Sequence, residues 1–362
     1  MKKRKHFIFF QPIISIHQLP LLNEIYKQGN DVTLVAFETS EVREKNSGWS
    51  AQGINENINI IIAPNRKAIN KLLESNAKFV ISGFCICSNT RYIMSRVREK
   101  KLSIYLYSEG GNTSSALLLP LRLLKNIYYR YKYQVYIAGI FTIGNKGYDW
   151  FRMIGFKRDK LIKFMYFTAP SPLDYKKSIT ISSENEKKNN IIFLGRLVEG
   201  KGLKRLLEYG QYLDERTNEI NIYGGGPLLL PLRDYVEKNN LSKMINFHGI
   251  INHKQIEKVF QKATVLCLLN DGDEGWGAVV NESLLHGVPV ICTPKTGSSG
   301  IIYEQNKFGV VLEVQDFNHF NTALLYCRDI DRMNIMDIAE KTLSPVVGAL
   351  KLIKSVEVDD HY

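Results

Sequence analysis

The sequence predicts an α/β protein built from two parallel-sheet units. Three observations carry that expectation. Short apolar runs alternate with amphipathic stretches along the whole chain, as right-handed strand–helix–strand units require. At 362 residues the chain is long for one hydrophobic core and comfortable for two. The alternation is interrupted at residues 169–190, "APSPLDYKKSITISSENEKKNN", where two prolines and clustered Ser, Lys, Glu and Asn read as a linker.

The elements follow in order. "MKKRKHFIFF" resembles the head of a signal peptide, but Gln11 and Pro12 interrupt the apolar run and no small-x-small cleavage site follows. Phe7–Phe10 is instead expected as a first buried strand. "DVTLVAF", "INIIIA", "KFVISGF", "LSIYLYS" and "GIFTIG" read as further strands. "LPLLNEIYKQG" and "NTRYIMSRVREKK" read as helices, the first stopped by Gly29. Beyond the linker a second strand series begins: "NIIFLG", "EINIYGGG", "MINFHG", "ATVLCLL" and "VPVIC". The tail "NIMDIAEKTLSPVVGALKLIKSVE" is helical in pattern and broken at Pro345. The expected domains are residues 1–170, residues 171–342, and a helix at 343–362 that returns to the first domain. Sheets of this type bind ligands beyond the carboxyl ends of their strands, in a cleft between the two domains.

Composition narrows the classes. Hydrophobic residues make up 44% and charged residues 23%, which excludes a disordered chain. Residues 1–170 hold 26 Lys/Arg against 11 Asp/Glu, and residues 171–362 hold 22 against 25. The whole basic excess therefore lies in the first half and calls for a polyanionic surface or partner there. Five cysteines, with only Cys85 and Cys87 close together, form neither a disulfide framework nor a metal-ligand set and imply a reducing compartment. No run reaches the roughly 18 apolar residues of a membrane span.

Candidate chemistry gathers in the second half. In "IIFLGRLVEGKGLKRLLEYG", Arg196 and Lys201 occupy a strand–loop–helix turn, where a guanidinium fork, a mobile ammonium and a helix start make an anion site. A solvated loop with surface charges is the plainer alternative. "IYGGGPLLLPL" places Gly225 between two further glycines after a strand, with Pro227 expected at the first helical position. Gly249 ends "INFHG", and its loop can present backbone groups to a flat base.

"DGDEGWGAVVNESLLHGVPVICTP" holds two carboxylates. Gly275 and Gly277 forbid a regular helix through "EGWG", so a helix is expected from near Ala278 to a stop at Gly287. Eight helical residues rise about 12 Å. Glu274 and Glu282 are thus too far apart for the roughly 5 Å pair of a retaining glycosidase, and they grip different parts of one extended ligand. The helix start between them, with free N–H groups at Ala278 and Val279, suits a phosphate. Hydroxyls, diphosphate and hydroxyls in that order describe a nucleotide-sugar.

These motifs, "GRLVEGKG", "YGGGP", "FHG" and "EGWGAVVNESLLHGVPVI", resemble the donor-binding domain of the retaining glycosyltransferases of family 4, over residues 189–312. The resemblance implies the GT-B architecture of two Rossmann-like domains. It implies that Arg196 and Lys201 bind the diphosphate, Glu282 the ribose, and Glu274 the transferred sugar with the backbone amides of Gly275, Trp276 and Gly277. It further implies retention of configuration, with no cofactor and no metal, the cations standing in for one. The chain is then a hexosyl-transferring enzyme, peripheral on the cytoplasmic face of the plasma membrane. It would add sugar to a glycan acceptor, lipid-linked, in bacterial surface polysaccharide assembly. A nucleotide-sugar epimerase or hydrolase of the same fold, and a non-catalytic binding protein, remain the alternatives.

The first half matches that family only in outline. "QPIISIHQLP" has no glycine after the first strand, and "IYLYSEGGNTSS" offers Glu109 where many members have a histidine. Glu109 and His17 are the acceptor-side candidates, Glu109 as readable as a loop or capping acid and His17 more readily a loop or helix-cap residue; His286 is expected to be structural. In "ALLLPLRLLKNIYYRYKYQVY", Leu124, Ile127, Tyr128, Tyr131 and Val135 share one helical face, with Arg122, Lys125, Arg130 and Lys132 on the other. Such a helix either packs on the core or lies in the headgroups of an anionic bilayer. Nucleic acid is the competing polyanion, but no binding motif for it is present.

Overall fold

The structure, a computed structural model, describes residues 4–15, 17–38, 56–111, 117–169, 175, 188–272 and 274–358. Most of the stretch read as a linker lies outside the described residues. The chain divides into two compact units. Among the described residues, the first holds 4–38, 56–168 and 345–358, and the second holds 169, 175, 188–272 and 274–344.

The first unit begins with β1 (His6–Gln11), α1 (Leu19–Lys27), β2 (Asp31–Ala36) and β3 (Asn59–Ile62). It continues through α2 (Arg66–Leu72), β4 (Lys78–Ser82), α3 (Ser88–Lys100), β5 (Ile104–Ser108) and α4 (Leu119–Tyr133). β6 (Ile137–Ile143), α5 (Gly144–Met153) and β7 (Leu161–Phe164) complete the series. Its seven strands lie in the order β3-β2-β1-β4-β5-β6-β7, every pair parallel. β1 lies inside the sheet, and Phe7–Phe10 are all buried, so both its faces are covered. That is why an unbroken apolar run marks a strand here. One core joins Ile8, Phe10 and Phe79 of the sheet to Ile93 and Met94 of α3 and Phe151 of α5.

The second unit comprises β8 (Asn189–Leu194), α6 (Leu203–Gly210), β9 (Asn218–Tyr223), α7 (Leu229–Lys238) and β10 (Ile245–Gly249). Next come α8 (His253–Lys262), β11 (Val265–Leu268), α9 (Ala278–Leu285), β12 (Val290–Cys292) and α10 (Ser299–Glu304). β13 (Gly309–Val311), α11 (Phe317–Arg328) and α12 (Arg332–Leu343) close it. The sheet order is β10-β9-β8-β11-β12-β13, again all parallel. The helical tail breaks at Ser344, and Pro345 opens α13 (Pro345–Val358), which packs on α1 in the first unit.

Three sequence expectations need correction. β7 and β13 were not foreseen, because edge strands of four and three residues are too short to show a period. Pro227 is not the first residue of a helix: α7 starts at Leu229. Gly226, at φ +153°, first makes a turn, and Leu228 N–H is tied to the Leu197 carbonyl at 3.1 Å. Arg130 does not join the outward cations of α4: its Nε is buried and its guanidinium lies over Gly155. Among the described residues no helix is long and apolar enough to cross a membrane.

Candidate active site

In the second unit the loops after β8, β9, β11 and β12 are joined to one another by backbone contacts that only glycine permits. Gly202 (φ +68°) caps α6, and a Cβ there would fall 1.7 Å from the Leu269 carbonyl oxygen. Gly200 carbonyl oxygen accepts from Asp271 and Gly272 N–H at 3.2 and 3.1 Å. Gly224 (φ +142°) leaves a Cβ position 1.8 Å from the Gly195 carbonyl oxygen, and its N–H reaches Gly249 at 2.7 Å. Leu197 N–H donates to Gly225 at 2.9 Å. A methyl group at either Gly202 or Gly224 would separate loops that carry Arg196, Lys201, Gly225 and Glu274.

This docking brings Lys201 against Glu274: the ammonium forms an ion pair and hydrogen bond with Oε2, both side chains one-fifth exposed. Asn270, fully buried at the end of β11, adds a second donor to the same oxygen at 3.3 Å. A neighbouring loop holds the backbone of "EGWG". Glu274 N–H donates to Lys295 at 3.3 Å, Ser298 N–H donates to Trp276 at 2.9 Å, and Gly297 sits where a Cβ would fall 1.6 Å from the Gly275 oxygen. The Trp276 indole points inward and donates to Asn281 Oδ1 at 2.9 Å, so this residue offers the site its backbone and anchors the loop with its ring.

Gly277, at φ +78°, turns the chain into α9 at Ala278, the start expected from the sequence. Ala278 and Val279 are half-exposed, and as the first two helical residues their N–H groups have no carbonyl within the helix to bond. Glu282 lies just beyond the first turn, 8% exposed. Arg196 is exposed at the mouth of β8 and makes no ion pair among the described residues. His286 is a packing residue: its Nδ1 lies 2.6 Å from the Glu282 carbonyl oxygen, and its ring stacks on Phe260 and meets Tyr175 edge-on. The Ser298 hydroxyl was missed by sequence reading. It is buried without a hydrogen-bond partner among the described residues, 3.7 Å from where a Cβ on Gly277 would stand.

With this geometry in view, comparison with known proteins is decisive for the segment that carries it. Residues 174–328 match the family described as Glycosyl transferases group 1. They form a glycosyl transferases group 1 domain. The chain is also similar to an uncharacterized 41.2 kDa protein in the cps region of Klebsiella pneumoniae, 27% identical over 161 residues. That match spans 41% of this chain and 43% of the relative's length. Among solved structures it is similar to Anabaena Alr3699/HepE in complex with UDP and glucose, at 12% identity and TM-score 0.71, covering 98% of this chain and 100% of that one. The lipopolysaccharide outer core galactosyltransferase WaaB in its apo form gives 12% identity and TM-score 0.71, with 98% and 99% covered. WaaG, a glycosyltransferase involved in lipopolysaccharide biosynthesis, gives 13% and 0.59, with 96% and 98% covered. At such identities the likeness establishes the fold, two Rossmann-like units of the GT-B class, as expected.

Outside the group 1 domain, the first unit gathers the acceptor-side candidates at the carboxyl ends of β1 and β5. Glu109 follows β5, and Gly110 and Gly111 lie flat on the buried Trp150 ring. The Tyr166 hydroxyl hydrogen-bonds the Glu109 carboxylate; burial, then the charge of Glu109, push its pKa well up. His17 faces the same tyrosine, ring centroids 6.4 Å apart. Gln18 hydrogen-bonds Tyr107, whose hydroxyl donates to the Met165 carbonyl at 3.2 Å. Tyr166 thus links Glu109 to His17, and no local pattern at residue 166 announces it.

Proposed function

We propose that the chain is a retaining, metal-independent glycosyltransferase that moves a hexosyl unit from a nucleoside-diphosphate sugar to a glycan acceptor. The observation that carries this reading is the meeting of Lys201 and Glu274 beside the start of α9, inside the group 1 domain. In this ion pair the two charges neutralise each other. An arriving diphosphate competes for Lys201, and Arg196 and the N–H groups of Ala278 and Val279 take the remaining phosphate oxygens. Glu274, held by Asn270, is then released to accept hydrogen bonds from sugar hydroxyls, as Glu282 does from the ribose.

Cleavage of the bond from the anomeric carbon to the phosphate oxygen leaves negative charge on the diphosphate. Arg196, Lys201 and the helix start stabilise that charge as it grows; one such contact is commonly worth about 3 kcal/mol. The acceptor hydroxyl bonds to the anomeric carbon on the face the phosphate leaves, and its proton passes to a departing phosphate oxygen. This reading assigns no covalent nucleophile. No metal is required where two side-chain cations carry the counter-charge.

The setting we infer is bacterial surface polysaccharide assembly on a lipid-linked acceptor, at the cytoplasmic face of the plasma membrane. The cps-region relative and the lipopolysaccharide enzymes of like fold support it. The test begins with a thermal-shift panel of UDP-, GDP-, ADP- and dTDP-sugars, followed by mass spectrometry of products on lipid acceptors. With the donor so found, Glu274→Ala is expected to lower turnover at least about a hundredfold while the nucleotide still binds. Unaltered turnover removes the site assignment. Products without a new glycoside bond turn the reading towards an epimerase or hydrolase.

A further inference from the structure

The helix α4 carries two apolar stripes, and the fold uses only one. Leu119, Leu123 and Tyr129 pack against the core of the first unit, and Tyr133 is buried in it. The other stripe is Leu117, Leu121, Leu124, Tyr128, Tyr131 and Val135, running from the turn before α4 to the turn after it. Each of these six is between 57% and 87% exposed. Their spacing of four, three, four, three and four residues places them on one line along the helix. Exposed apolar residues scattered singly need no explanation, but a continuous row of six marks an interaction surface.

Two occupants fit a straight apolar row on a helix: the same row of a second copy, and a lipid surface. The charges decide between them. From Leu117 to Tyr136 there are four cations, Arg122, Lys125, Arg130 and Lys132, and no acid. A zipper with a second copy needs acids beside the seam to answer Lys125 and Lys132, and the helix has none. The neighbouring α3 is cationic on balance, its one acid, Glu99, being paired with Arg96; Arg91 acts on the same buried Cys85 thiol as Lys125 and Lys132, and Arg98 acts on Lys132. Tyr128 and Tyr131 each combine an apolar ring with a hydroxyl, the chemistry of the headgroup boundary.

We infer that the outward face of α4 lies in the headgroup region of an anionic lipid bilayer, with Leu117, Leu121, Leu124 and Tyr131 entering the acyl boundary and Lys125 and Lys132 meeting lipid phosphates. This surface is independent of the proposed sugar transfer, because vesicle binding is read without any donor or acceptor.

The full chain is sedimented with vesicles of phosphatidylglycerol and phosphatidylethanolamine, and with vesicles of phosphatidylcholine alone. The wild-type chain is expected on the anionic vesicles, and less so as salt rises. Lys125→Glu with Lys132→Glu lowers anionic binding by more than about tenfold. Leu124→Asp with Tyr131→Asp lowers it by at least about as much. Both double variants are expected to melt close to the wild type, since Leu124, Lys125 and Tyr131 are exposed and Lys132 is half-exposed; if the aspartate pair fails to fold, the lysine pair still decides. Three results overturn the inference. The chain stays in solution with both vesicle types, or it binds anionic vesicles equally well with either pair replaced. Or it is a dimer by analytical ultracentrifugation that the aspartate pair splits, which assigns the face to a second copy.

Discussion

The two units hold their loops in different ways at the carboxyl ends of their sheets. In the second, backbone rests on backbone: Gly202 against Leu269, Gly224 against Gly195, Gly297 against Gly275. Around Glu109 in the first, side chains do much of the holding: Trp150 under Gly110 and Gly111, and Tyr166 on Glu109. A backbone contact admits one residue type, whereas a side-chain contact can be rebuilt from several. The second arrangement is therefore rigid in sequence as well as in space, and the first is free to vary with the acceptor it would meet.

The largest effect that would test this difference belongs to Gly202→Ala. Its Cβ meets a carbonyl oxygen that cannot turn aside, at a φ that side chains avoid. We expect a loss of about 4 kcal/mol, read as a melting temperature lower by roughly 10 °C, together with lost donor binding. A variant that melts like the wild type would refute rigid docking of these loops. Gly111→Ala in the first unit comes next. The obstacle is the Trp150 ring, 2.3 Å from the new Cβ, and a ring shifts where a backbone does not. Overpacking of this kind costs about 1–3 kcal/mol. The Gly111→Ala chain should keep nucleotide-sugar affinity in calorimetry; equal damage from the two substitutions would erase the distinction.

The smallest effect is one of pH. Burial raises the pKa of Tyr107 and Tyr166 above the ordinary tyrosine value of about 10. A group whose folded pKa is raised contributes stability that is fully present below its unfolded pKa, and the contribution is lost as pH rises towards the folded value. The first unit should accordingly lose melting temperature above about pH 10, with these tyrosinates appearing in near-ultraviolet absorbance only as it opens. Titration of all 19 tyrosines in a single step near pH 10, with native structure kept, would contradict the buried cluster.

The same contrast explains what could be read before the structure was known. Both parallel sheets were legible, because buried strands must be continuous apolar runs. The start of α9 at Ala278 was legible too, since Gly275 and Gly277 cannot continue a helix. Asn270 was not, because it reads as the polar end of an apolar strand, and its bond to Glu274 exists only after the chain turns back through Gly272. Ser298 and Tyr166 were missed for a related reason. Each meets its partner loop through space, and nothing in its own neighbourhood marks it. On α4, periodicity found an apolar face but could not say which of two faced outward; the core chose the Leu119 and Tyr133 side.

The return of α13 to α1 has a consequence for how the polypeptide is made. The second unit is complete once Ser344 has left the ribosome, whereas the first, though nearly all of it is synthesised earlier, still waits for Pro345–Val358. Gly348 closes that seam on Phe167, where a methyl group would stand 2.5 Å from the ring. The earlier-synthesised half is thus the later one to be finished, and it must stay unaggregated through the birth of the other, a burden that falls on nascent-chain chaperones.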